Sequence, residues 1–251
     1  MKNHLTTAFY CTSPEHHKGF IAGIQQAIQN IAPVGVFAGD NLIAINRNLS
    51  FLYDETFLAA FNKSMQSEKE QSLIWRVYVL CWAAKNGLKL DGDFVECACY
   101  KGDTARIVCD YLDLASSDKQ YFLYDLFEHS EEMNHHAMHD HGETLFQKVQ
   151  ARFVDQKNVH VTKGPVPEIL HQIAPEKIAF MHLDLNNASA EIGALEVLFD
   201  RIVQGGIIVL DDYGWLVYKE QKDAADAFFE ERGYFVLELP TGQGLMVKTR
   251  A

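Results

Sequence analysis

The sequence predicts an α/β protein: a doubly wound, mostly parallel sheet of seven strands behind an N-terminal helical extension. Three observations lead there. Gly205-Gly206 introduces the apolar, β-branched run Ile207-Ile208-Val209-Leu210, which ends in Asp211-Asp212; this is the pattern of a buried parallel strand that carries acids at its C-terminal end. A second run, Ile178-Ala179-Phe180-Met181-His182-Leu183, ends in the same way at Asp184. From about residue 92 onward, strand-like and helix-like segments alternate, the order in which β/α units build a parallel sheet.

Residues 1–90 read as helical, with little strand signal. Ser13-Pro14-Glu15 starts a helix with Pro at its first position. Phe20, Ile21, Ile24, Ala27, Ile28 and Ile31 then recur at helical spacing up to Pro33. Asp54 caps a short helix reaching about Phe61. A longer helix is expected from Ser67 to Asn86, with Leu73, Ile74, Val77, Leu80, Cys81 and Ala84 on one stripe and Gly87 as its stop. Such an extension covers the open side of a site or makes a subunit interface. Residues 91–251 form the second region. Its strands are expected near 93–98, 120–125, 158–162, 177–183 and 206–211, and its helices near 102–113, 142–154, 165–173, 188–200 and 219–231. Tyr234–Leu239 and Gly244–Lys248 then form a hairpin around Pro240-Thr241-Gly242-Gln243. Residues 126–141 make a long polar connection.

With 251 residues and 48% hydrophobic content, the chain can bury a sizeable core. No apolar stretch approaches the roughly 20 residues that span a bilayer, and the start Met1-Lys2-Asn3-His4 lacks the apolar region of a signal peptide. The five cysteines lie mostly inside apolar patterns and read as reduced thiols of a cytoplasmic protein. A net charge of −12 without any basic run opposes nucleic-acid binding. The expected partner is a small molecule.

The acids at strand ends carry the chemistry. Open α/β sheets bind ligands beyond the C-terminal ends of their strands. Asp184, Asp211 and Asp212, gathered at two such ends, repel one another unless a cation lies between them, and a hard divalent ion with oxygen ligands answers that need. Helix capping or turn formation is the plainer role for acids at these positions. The first strand runs Asp93-Phe94-Val95-Glu96-Cys97-Ala98-Cys99-Tyr100-Lys101-Gly102 into a helix, the geometry of nucleoside-binding turns. It is not G-x-G-x-x-G, and Ala98 stands where glycine gives the closest approach. Asp125, ending the strand Gln120-Tyr121-Phe122-Leu123-Tyr124, is placed to accept both hydroxyls of a ribose. A dehydrogenase has use for Glu96 and Asp125 but none for the second set of acids.

The chain resembles the class I S-adenosylmethionine-dependent methyltransferases of the macrocin O-methyltransferase (TylF) type over roughly residues 90–248. The resemblance rests on Phe94–Gly102, on Leu123-Tyr124-Asp125-Leu126-Phe127-Glu128, on His182-Leu183-Asp184-Leu185-Asn186, and on Gly205–Tyr213. It implies a Rossmann-like fold and magnesium-dependent O-methyl transfer. Metal-ligand positions fall on Asp184, Asp211 and Asp212; cofactor positions fall on Glu96, Ala98, Tyr100, Gly102, Asp125 and Leu126. Asn186 stands where the family has a second Asp. In this reading S-adenosylmethionine carries the activated methyl group, Mg2+ orients the acceptor and acidifies its hydroxyl, and Asp184 takes the proton. The loop histidines His135, His136, His139 and His141 are candidates for substrate contact, His139 as a catalytic partner, with a zinc site as the lesser alternative. A homodimer is expected. The rival readings are a nucleoside-binding protein without transfer activity and an NAD-dependent oxidoreductase.

Overall fold

The computed structural model describes residues 2–10, 12–31, 35–129 and 137–250. The chain divides into two compact units, Met1–Tyr78 and Val79–Ala251.

The first unit holds a small sheet that the sequence did not announce. β1 (His4–Leu5) pairs in parallel with β2 (Phe37–Gly39), which pairs antiparallel with β3 (Leu42–Ala44). Strands of two or three residues are too short to show an alternating pattern. Asp40 and Asn41, at φ +49° and +57°, form the two-residue turn between β2 and β3, a left-handed pair suited to a tight hairpin. Helix α1 (Pro14–Gln29) begins at the expected Pro14 and buries none of its residues. Asp54 caps α2 (Glu55–Ser64) by accepting from the Phe57 amide at 3.0 Å. The expected helix from Ser67 to Asn86 is broken in two. α3 (Glu68–Gln71) opens on a Ser67–Glu70 capping box, and α4 (Ile74–Gly87) follows. At the break the Ser72 hydroxyl donates to the Lys69 carbonyl at 2.7 Å, a local bond that competes with the helical ladder. Phe37, Phe51, Trp75 and Tyr78 stack edge to face or tilted as the core of this unit.

The second unit is the doubly wound sheet. Its strands are β4 (Asp93–Cys97), β5 (Tyr121–Asp125), β6 (Val159–Lys163), β7 (Ile178–Leu183), β8 (Ile202–Leu210), β9 (Leu237–Glu238) and β10 (Gly244–Val247), in the order β6-β5-β4-β7-β8-β10-β9. The five from β6 to β8 are parallel, and β10 runs antiparallel between β8 and β9. All six residues of β7 are buried, which explains its unbroken apolar sequence. Strand order reverses between β4 and β7, so loops leaving their C-terminal ends diverge and open a crevice. Between the strands lie α5 (Asp103–Leu112), α6 (Leu145–Arg152), α7 (Ala188–Leu198) and α8 (Lys219–Glu231), the last two packed on each other. β8 begins at Ile202, before the Gly-Gly pair. Gly205, at φ +86°, lies where the β7–β8 register slips, the mark of a bulge rather than of a strand start. The expected helix at 165–173 is only a 3₁₀ turn, Glu168–His171; Val166, as the residue before Pro167, is disfavoured in helical backbone, so no helix starts at 165. Among the described residues no helix is long and apolar enough to cross a membrane.

Candidate active site

The turn after β4 passes through left-handed backbone three times before α5. Ala98 lies at φ +66°, Tyr100 at +48° and Gly102 at +72°. Ala98 thus adopts a left-handed conformation more usual for glycine. At Gly102 an added Cβ would lie 2.8 Å from the Phe153 ring. Asp125 ties this turn to the loop after β5: its carboxylate accepts from the backbone amides of Tyr100 (2.7 Å) and Phe127 (2.5 Å). Ala98, Tyr100, Asp125 and Leu126 line a cavity of about 840 Å³, within the range of small-molecule sites. Gly164–Pro167 and Glu168 form one wall; Asp184, Leu185, Asn186 and the face of α7 that carries Ile192 form another.

Glu96 and Gly102 lie behind this cavity rather than on its lining. Glu96 is buried, and its carboxylate accepts from the Thr104 hydroxyl (2.6 Å) and the Tyr121 phenol (2.7 Å). It braces the turn from below.

Asp184 follows β7 and Asp211 and Asp212 follow β8, adjacent parallel strands in register from Phe180 with Ile207 to Leu183 with Leu210. That register brings one ligand atom from each acid within 4.8 Å of the others. Oxygens around a six-coordinate Mg2+ lie roughly 3–4 Å apart, given metal–oxygen distances near 2.1 Å, so three hard oxygen donors at this separation fit the ion with small adjustments. Asn186, at φ +53°, aims its amide at Asp184 Oδ1 (3.3 Å) and so acts as a donor to that acid. Asp211 is held from two sides. The Gln243 amide donates to its Oδ1 at 3.0 Å, and His182 Nε2 lies 3.5 Å away. His182 Nδ1 lies 3.5 Å from Glu96, so the imidazole bridges the acids of β4 and β8. Burial alone would lower its pKa, but the flanking carboxylates of Asp211 and Glu96 hold it well above the ordinary histidine value. Glu191, on α7, accepts from the Gln221 amide at 3.0 Å, and burial together with the charges of Asp212 and Asp211 raises its pKa to about 7.

The loop after β5 is only partly described, and His135 and His136 lie outside the described residues. His139 points into solvent, its side chain 97% exposed and 3.5 Å from Asp140. His141 instead lines the cavity, edge-on to Tyr100, whose hydroxyl donates to Asp140 at 2.8 Å. Among the described residues the three aspartates are the one group of His, Cys, Asp or Glu spaced to hold a metal. Tyr213 is buried with its hydroxyl bonded to Asp226 and Lys222 and packs rather than lines the cavity. The sequence reading missed Gln243, Glu191 and Gln221. An amide in a hairpin and an acid inside an amphipathic helix carry no linear signal of the partners they meet.

The macrocin-O-methyltransferase (TylF) family profile matches residues 81–235. No curated protein matches the sequence. Similar solved structures include the O-methyltransferase NovP, at 16% identity and TM-score 0.60 over 72% of this chain and 82% of that one. CalS11, described as a TDP-rhamnose 3'-O-methyltransferase of calicheamicin biosynthesis, matches at 13% identity and TM-score 0.56 over 95% of this chain and 97% of that one. The Podospora anserina methyltransferase PaMTH1, solved with bound S-adenosylhomocysteine, matches at 11% and 0.55 over 96% and 100%. At these identities the structures testify to the fold alone, a Rossmann-like methyltransferase sheet. The family match covers more than half of the chain and includes the turn after β4, Asp125 and all three clustered aspartates: the chain belongs to the macrocin-O-methyltransferase family and is an S-adenosylmethionine-dependent O-methyltransferase.

Proposed function

We propose that the protein methylates a hydroxyl of a sugar or similar natural-product acceptor with the help of Mg2+ held by Asp184, Asp211 and Asp212. The observation that carries this reading is the convergence of those three carboxylates beside a nucleoside-sized cavity with Asp125 on its lining. Bound there, the cofactor supplies an activated methyl group and the ion supplies acidity to the acceptor hydroxyl. The chain's own residues do the rest. Asp125 accepts two backbone amides that fix its carboxylate at the cavity lining, which supports it as the group that receives the ribose hydroxyls. Ala98, Tyr100 and Leu126 shape the adjoining surface, with Glu96 and Gly102 fixing the turn from behind. Asp184 belongs to both the cavity lining and the acid cluster, which supports it as the group that receives the acceptor proton. Of the described loop histidines, His141 is the one at the cavity and takes the acceptor-side role in place of solvent-facing His139. The acceptor class is suggested by the sugar substrate named for CalS11.

Two further parts of the reading rest on separate observations. A homodimer is supported by the first unit, where α1 buries no residue and Leu5, Tyr10, Phe20, Ile43 and Ile45 are exposed; light scattering on the purified protein tests it. A cytoplasmic location is supported by the described cysteines, Cys81, Cys97, Cys99 and Cys109, all buried free thiols.

Labelled methyl transfer from S-adenosylmethionine into fractionated natural-product extracts, with and without Mg2+, identifies the acceptor. Asp211→Asn is expected to abolish turnover while leaving S-adenosylhomocysteine binding within a few-fold. Full turnover of this variant at ordinary Mg2+ would remove the metal from the mechanism.

A further inference from the structure

We infer that the turn of the β9–β10 hairpin is a positioning device for Asp211, working through Gln243 with Thr241 behind it. Gln243 is completely buried, and Thr241 is 6% exposed. The Gln243 amide nitrogen donates to Asp211 Oδ1 at 3.0 Å, and its carbonyl oxygen accepts from the Thr241 hydroxyl at 2.9 Å. The chain Thr241–Gln243–Asp211 therefore has one polarity. A carboxylate only accepts, so the amide must turn its NH2 toward Asp211. A flipped amide would face oxygen with oxygen at Asp211; in the orientation seen, the Thr241 hydroxyl supplies the donor that satisfies the amide's buried carbonyl oxygen.

The turn is locked to the Asp211 loop by backbone as well. The Gly214 amide donates to the Gly242 carbonyl at 2.7 Å. An added Cβ on Gly242, at φ +82°, would lie 2.3 Å from Trp215 Nε1, and one on Gly244 would lie 2.7 Å from the Tyr213 ring. Two glycines at close approach and a fully buried amide are more than a hairpin needs to turn. Together they fix where the Asp211 carboxylate stands and which way it faces. Groups behind metal-binding carboxylates orient them, and their loss typically costs 10–100-fold in metal affinity. Gln243 and Thr241 are positioning residues; neither lines the cavity.

This inference rests on the proposed ion site at Asp184, Asp211 and Asp212, and the test separates the two. Mn2+ is titrated into the purified full chain and free ion is followed by electron paramagnetic resonance, for wild type, Asp212→Asn, Gln243→Leu and Thr241→Val. S-adenosylhomocysteine binding is measured in parallel by calorimetry. Gln243→Leu is expected to weaken Mn2+ binding about 10–100-fold, and Thr241→Val to weaken it in the same direction by a smaller factor. Cofactor affinity should stay within about threefold, and turnover should recover at high metal with kcat near wild type and a raised metal requirement. Mn2+ affinities equal to wild type in both variants would overturn the inference while leaving the ion site intact. Failure of wild type to bind Mn2+, or binding indifferent to Asp212→Asn, would instead overturn the ion site itself. If Gln243→Leu does not fold, Thr241→Val alone decides, since it removes one hydroxyl without changing side-chain volume.

Discussion

Ala98 shows at a single residue how the turn after β4 is made. Its φ of +66° is forced by the turn that lets its own amide reach the Tyr124 carbonyl at 2.8 Å and brings the Tyr100 amide to Asp125 at 2.7 Å. An L-residue in left-handed backbone costs roughly 1–2 kcal/mol, and glycine would return about 0.4–1 kcal/mol of that through its freer unfolded chain. Ala98→Gly is therefore expected to raise stability by about 0.5–1 kcal/mol in urea denaturation, with S-adenosylhomocysteine affinity equal or higher. A less stable variant would mean that the Cβ makes packing contacts worth more than the strain. The tight turn between strand and helix was legible in the sequence, and so was a preference for glycine at 98 on grounds of close approach; the left-handed backbone was not. What Ala98 would do there was not legible, since only coordinates show whether it yields the turn or keeps it.

At the scale of elements, Asp125 joins two loops. It ends β5, yet its carboxylate holds the amide of Tyr100 in the loop after β4 and that of Phe127 in its own. Asp125→Ala should weaken S-adenosylhomocysteine binding by about 1–3 kcal/mol, the scale of lost charge-assisted hydrogen bonds. It should also lower the denaturation midpoint, because two backbone donors lose their acceptor. An unchanged dissociation constant would show that the ribose lies elsewhere. The strand-end acids could be read from sequence because β7 and β8 are buried runs whose ends are marked by the first polar residue. Elements defined by other rules were not readable. β1 to β3 are too short for periodicity, the Ser72 break depends on a side-chain bond, and the 165–173 segment keeps an apolar spacing while Pro167 keeps the residue before it out of helical backbone. Gln243 was hidden for a further reason: its partner Asp211 is 32 residues away on the neighbouring strand, and nothing local distinguishes it from any other turn glutamine.

For the molecule as a whole, the buried acid and histidine around the aspartate cluster make stability depend on pH, and the proposed ion site would make it depend on divalent ions as well. Glu191 has a folded pKa of about 7 against an ordinary 4.5, raised first by burial and then by Asp212 and Asp211. The native protein therefore holds a proton through that window that the unfolded chain has released, and stability falls as pH rises from about 4.5 to about 7. The gap corresponds to about 3 kcal/mol. His182 acts in the same direction: its raised folded pKa gives a contribution that is full below about 6.5, the unfolded value, and is lost as pH climbs through the folded one. In metal-free protein, Glu191→Gln should flatten the fall between pH 5 and pH 8, gaining little over wild type at pH 5 and about 2–3 kcal/mol at pH 8. The new amide can keep the bond from Gln221 and donate in return to Gln221 Oε1, a buried oxygen without a hydrogen-bond partner among the described residues. Mg2+ adds a second, independent arm. A cation among Asp184, Asp211 and Asp212 would offset the negative charge that pushes Glu191 upward, and by binding only the folded state it would stabilise that state most where the acids are ionised. Wild type in millimolar Mg2+ should then show a shallower decline between pH 5 and pH 8, the part due to burial remaining, and the advantage of Glu191→Gln should shrink with it. Parallel pH profiles for wild type and variant without metal would show that Glu191 ionises in the fold at no cost. Profiles indifferent to Mg2+ would separate Glu191 from the aspartate cluster and remove the charge coupling argued for them.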